Sequence, residues 1–126
     1  MLIPCEIAVK TVMPAIRAGI ARELVASYNL KQEDVAKMLG ISQSAVSKYT
    51  RFVRGSVLKI DTIEEIQPIL AEMATMLANG DGYFRNEFVE KFCQTCKIIR
   101  RKKLMCPFCE NTEPIVKSQK CSFCLR

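Results

Sequence analysis

Apolar positions along this chain recur at helical spacing, three and four apart, and most breaks between such runs carry a residue that stops or starts a helix. In Cys5–Met13, Ile7 pairs with Thr11 and Ala8 with Val12 at i, i+4. Pro14 suits the opening of a new helix, where its missing N–H costs nothing. From Ala15 onward Ile16, Ile20, Leu24 and Tyr28 form a stripe every four residues, ending at Asn29. Gln32–Leu39 predicts a short helix stopped by Gly40 in the left-handed region, and Ser42 caps a third helix running through Val46 and Tyr49. Gly55 and Ser56 mark a loop.

Asp61 or Thr62 caps the next expected helix, with Glu64 and Glu65 favourable in its first turn. Its seam is Ile63, Ile66, Leu70, Met73 and Leu77, and Pro68 predicts a kink or a restart inside it. Asn79-Gly80-Asp81-Gly82 is the clearest break, and Tyr83–Phe92 predicts a short aromatic helix leading into Cys93. The fold class that follows is all-α. The chain is expected to divide into residues 1–57, a connecting or dimerisation helix over 58–80, and a module over 81–126.

Composition sharpens this picture in two places. With 126 residues, 49% of them hydrophobic, the chain is globular and sized for one domain plus a short module. No apolar run approaches the ~20 residues a membrane helix needs, and the start has an early acid, Glu6, and no basic run, so a cytoplasmic protein is expected. Histidine is absent, which removes imidazole general bases and His-ligated catalytic metals. Charge is uneven: residues 1–92 hold 11 basic and 11 acidic residues, whereas 93–126 hold 8 basic and 2 acidic. That stretch also holds six of the seven cysteines.

The segment from Gln32 to Tyr49 carries the strongest signal. Ala36 is small enough for two helices to cross closely, Gly40 makes a sharp turn, and Val35, Leu39, Ile41 and Val46 seal the space between them. Gln43, Ser44, Ser47 and Lys48 remain for the outer face of the third helix, as side chains able to bond base edges and phosphates. From Ser42 to Ile60 there are four bases, Lys48, Arg51, Arg54 and Lys59, and no acid, so the stretch can follow a phosphate backbone. A helical hairpin inside an ordinary bundle is the competing reading, but a merely solvated face would mix Glu with Lys.

On Ala36, Gly40, Val46 and the string Leu39-Gly40-Ile41-Ser42-Gln43-Ser44-Ala45-Val46-Ser47, the chain resembles helix-turn-helix regulators of the lambda-repressor (XRE) type, in particular short archaeal ones. The resemblance is specific over residues 14–57 and looser at Pro4-Cys5-Glu6 and Phe92-Cys93. It implies a lambda-repressor-like bundle whose second motif helix enters the major groove of double-stranded DNA. Gln43, Ser44 and Lys48 would then read or approach bases, with Ser47 beside them; Ser42, Arg51 and Arg54 join the expected DNA-binding residues from the basic, acid-free stretch. Gln32 would bond a phosphate. The resemblance also implies dimers on paired half-sites.

The tail contains Cys93-Gln-Thr-Cys96, Cys106-Pro-Phe-Cys109 and Cys121-Ser-Phe-Cys124. A CxxC pair on a tight turn aims both sulfurs at one ion, and two pairs complete a four-thiolate shell for zinc or an iron–sulfur cluster. Zinc is the first expectation, a cluster the second and a dithiol switch the third. Spacing favours Cys106, Cys109, Cys121 and Cys124, whose knuckles look like a zinc ribbon. The archaeal regulators instead imply Cys93, Cys96, Cys106 and Cys109. A lone Cys5 reads as a small apolar residue outside the site. Lys97, Arg100, Arg101, Lys102 and Lys103 read equally as a solvated face, as phosphate contacts or as an offset to thiolate charge.

These observations predict a dimeric, non-enzymatic, sequence-specific transcription regulator with a small cysteine-knuckle metal module that senses metal or redox state. The alternative is a zinc-ribbon adaptor that binds RNA or the transcription machinery without operator preference.

Overall fold

The computed structural model of the chain describes residues 3–52, 58–80 and 85–125. Eight α-helices run through them, and no strand occurs among the described residues. The first two are α1 (Pro4–Lys10) and α2 (Val12–Tyr28). Glu6 accepts a hydrogen bond from the Ile3 N–H at 2.9 Å and so caps α1. Pro14 falls in the first turn of α2, where no intrahelical donor is needed, so the break comes two residues earlier than its position suggests.

The next pair, α3 (Gln32–Leu39) and α4 (Gln43–Thr50), follows the expected limits closely. After Gly55 and Ser56, which lie outside the described residues, a 3-10 turn (Glu64–Ile66) precedes α5 (Gln67–Asn79). Pro68 is in the first turn of α5, so the seam restarts there rather than kinking. Neither Asp61 nor Thr62 caps it; the Gln67 amide instead donates to the carbonyls of Ile60 and Ile63 at 3.0 and 3.1 Å. Gly80 ends α5 with φ +65°, and Asp81, Gly82 and Tyr83 lie outside the described residues.

Helix α6 (Arg85–Arg101) differs most from expectation. The aromatic helix does not stop at Phe92 but continues for 17 residues in all, straight through Cys93 and Cys96. The tail then forms α7 (Cys106–Thr112), α8 (Ile115–Ser118) and a 3-10 turn (Phe123–Leu125).

One apolar cluster joins these elements. Ile16, Ile20 and Leu24 of α2 are fully buried with Val35, Val46, Ile66, Met73 and Ile99, so α2 is surrounded by α3, α4, α5 and α6. At Gly19 a Cβ would stand 3.3 Å from Leu70 Cδ1, which lets α2 and α5 approach closely. The seam of α5 is core, covering α2: Leu70, Met73 and Leu77 are all buried. Burial of Ile99 and Met105 carries the same core into the C-terminal third.

Candidate nucleic-acid interface and cysteine cavity

The first candidate site is the outer side of α4. Gly40 adopts φ +66°, and the Ile41 N–H bonds back to the Ala36 carbonyl at 3.0 Å, a left-handed stop that turns the chain sharply out of α3. Ser42 Oγ then accepts from the Ala45 N–H at 3.1 Å and starts α4. Ala36, Ala45 and Val46 are buried where the two helices cross. With those inside, Ser42, Gln43 and Ser44 are exposed, Ser47 and Lys48 are half-buried, and Arg51 is exposed at the end of the helix. Arg51 Nε donates to the Ser47 carbonyl at 3.3 Å.

Gln32, at the start of α3, donates from Nε2 to Thr50 Oγ1 at 3.4 Å, tying the first helix of the pair to the end of the second. Arg54 lies outside the described residues.

A clamp behind α4 was not visible in the sequence. Arg22 of α2 donates to the Tyr49 carbonyl at 3.2 Å, faces Asp61 at 3.5 Å, and lays its guanidinium over the Phe52 ring at 4.3 Å. It fixes the exit of α4 against α2 and the approach to α5. The partners lie 27 and 39 residues away along the chain, so no local pattern signals them.

Residues 21–51 match the helix-turn-helix family model. That window, 31 of the 126 residues, takes in the end of α2, α3, the turn at Gly40 and α4. The match supports a DNA-binding transcription regulator with an XRE-like helix-turn-helix. No curated protein and no solved structure matches the chain. No described helix is long and apolar enough to cross a membrane.

The second candidate site lies between α1 and the tail. A cavity of about 550 Å³ is bounded there by Cys106 and Cys109 of α7, by Cys121 and Cys124, and by Cys5 of α1. Two of the three CxxC pairs therefore face one space. The third pair does not line it: within α6, Cys93 is exposed and Cys96 is buried. Cys5, set aside as a small apolar residue, is exposed and lines the cavity. Among the described residues no three cysteine or acidic side chains are grouped closely enough to hold one ion.

Arg100 stands among these thiols. Its Nε donates to Cys124 Sγ at 3.3 Å, and its guanidinium lies 5.9 Å from the centre of the Phe123 ring. Burial opposes its charge, but the bond to Cys124 and the nearness of Cys96 and Cys5 outweigh that and hold its pKa above the ordinary value. Burial raises the Cys96 thiol despite the opposing charge and hydrogen bond of Arg100. Burial also raises Cys106 and Cys109, with Cys124 reinforcing the shift in both.

The basic run after Cys96 is thus divided. Arg100 serves the thiols, Lys102 pairs with Glu65 at 2.6 Å, and Lys103 lines the cavity at φ +63°. Nor does the tail form a ribbon, which needs strands: its described residues are helical, so the adaptor reading is not favoured.

Proposed function

We propose that the chain is a sequence-specific transcription regulator that reads double-stranded operator DNA through Gln43, Ser44 and Lys48, with Ser47 beside them and Ser42, Gln32, Arg51 and Arg54 toward the phosphates. The observation that carries this reading is the first turn of α4: Gln43 and Ser44 stand exposed on a helix whose other side is locked into the core. Such side chains form paired bonds to base edges, and the absence of acids from Ser42 to Ile60 keeps the approach to phosphate unopposed. The protein acts as a homodimer in the cytoplasm, since one half-site yields a small interface and two add their specificity.

The cysteine tail holds a metal, as zinc or as an iron–sulfur cluster, and its occupancy shifts operator binding. Support comes from the donor set: thiols in CxxC pairs around one cavity, with Arg100 and Lys103 to offset thiolate charge. When bound, such a group lends folding energy to a tail whose own helices bury few residues.

Selection from randomised duplex oligonucleotides tests the DNA reading. An enriched site is expected. Gln43→Ala and Ser44→Ala should each lose about 1–3 kcal/mol of discrimination on it while folding normally. No enriched site, or unchanged discrimination in both variants, would overturn the reading.

A further inference from the structure

Two facts about the cavity pull apart the notion of a single bound ion. Its thiols surround a space rather than a point: no three of the described donors share an ion-sized shell, yet five thiols border one volume of about 550 Å³. A tetrahedral zinc site with bonds of about 2.3 Å draws its sulfurs to roughly 4 Å from one another, and no such group of donors occurs among the described residues. The thiols also stand on separate walls. Cys106, Cys109, Cys121 and Cys124 belong to the tail, and Cys5 belongs to α1.

We propose that the cavity takes a polynuclear iron–sulfur cluster, ligated by Cys106, Cys109 and Cys124 from the tail and by Cys5 from α1. The inference rests on the metal-binding reading of the tail and assigns Cys5, which that reading leaves out. A lone ion would be satisfied by the two tail pairs and would have no use for Cys5. A body wide enough to fill the space meets both walls.

The choice of tail thiols follows their placement. Cys106, Cys109 and Cys124 are half-buried. Cys121 is exposed and is the spare. Arg100 supplies an N–H to the Cys124 sulfur at 3.3 Å, the kind of bond that tunes a cluster, and it lies near Cys5 as well. Arg100, Lys103, Lys117 and Lys120 line the space beside Glu110 and Glu113, so cations outnumber acids there and offset part of the negative charge of a four-thiolate cluster. Cys93 does not line the cavity.

The test uses the full chain, purified without oxygen and loaded with iron and sulfide in excess thiol, with zinc loading in parallel. Iron, acid-labile sulfide, zinc and visible absorption are measured per chain, and far-ultraviolet circular dichroism confirms that each variant is folded. The wild type is expected to hold several irons with matching sulfide and broad visible absorption. Cys5→Ser should lose iron to a chelator at least tenfold faster, while Cys93→Ser stays within twofold of wild type. One zinc per chain with no iron–sulfide product would overturn the cluster and leave the metal-binding tail standing. A cluster in Cys5→Ser as durable as in wild type would overturn the role of Cys5. A wild type that holds neither zinc nor iron would overturn the tail reading itself, and this inference with it.

Discussion

Replacing Arg22 with methionine tests whether a clamp from α2 holds α4 in place. Methionine keeps most of the aliphatic stem, so packing changes little. Three interactions are lost. The bond to the Tyr49 carbonyl is charge-assisted and mostly shielded, the Arg22 side chain being 17% exposed. The Phe52 N–H also donates to that carbonyl at 3.2 Å, so it is not orphaned and the loss stays near 1 kcal/mol. The guanidinium over Phe52 adds about 0.5–1 kcal/mol. Asp61 is 64% exposed and stands 3.5 Å away, so its share is at most about 0.5 kcal/mol. The sum is about 2 kcal/mol, or about 8 °C in Tm for a chain of this length. Urea unfolding followed by circular dichroism measures it, with Asp61→Asn alongside. Arg22→Met should cost several times what Asp61→Asn costs. An equal loss in both, or less than about 0.5 kcal/mol for Arg22→Met, would refute the clamp.

Other substitutions probe separate links. Gly40→Ala meets no atom within 4 Å, so its cost is backbone strain alone, about 1 kcal/mol, read as a lowered urea midpoint. Ser42→Ala removes the cap on α4 and should cost about 1 kcal/mol in the same assay, with helicity lost near residues 43–46 in amide exchange. Ile99→Ala should cost about 2–4 kcal/mol and keep a single unfolding transition, because Ile99 is fully buried in the cluster shared with α2; two transitions would make the C-terminal third an independent unit. On the regulator reading, Lys48→Gln with Arg51→Gln lowers the slope of log affinity against log salt by about 2, measured by fluorescence anisotropy on an operator duplex.

What could be read ahead of the structure was local. Ser42, Gly40 and Ala36 each act within a few residues of their own position: a cap, a positive φ and a small side chain at a crossing. The outward residues of α4 follow from them by helical geometry alone. The course of α6 was also legible, since Phe88, Phe92, Cys96 and Ile99 recur at helical spacing. The CxxC template, which implies a tight turn, outweighed that periodicity and ended the helix too early. Arg22 and Cys5 could not be found this way. Their meaning lies in partners brought up by tertiary packing, and a lone arginine on an amphipathic helix or a lone cysteine near a proline carries no pattern.

The two sites are joined by the way α6 is used. Ile99 is anchored in the apolar cluster, while its neighbour Arg100 reaches the cavity thiols, so one helix faces both. On the other wall α1 carries Cys5 into the cavity and buries Ile7 and Ala8 in the same core, next to α2. Helix α2 in turn holds α4 through Val46 and Arg22. On the proposed reading, a metal or cluster seated against both walls would act on elements one packing layer from α4, and it would bias that helix only as far as it binds two arrangements of these elements unequally. Between them lie the fully buried core around α2 and the cavity, where thiols and cations border open space. A differential of about 1.4 kcal/mol between arrangements is enough to change operator affinity tenfold, which is comparable to a single cap or clamp in this fold and well within what metal–thiolate bonding supplies.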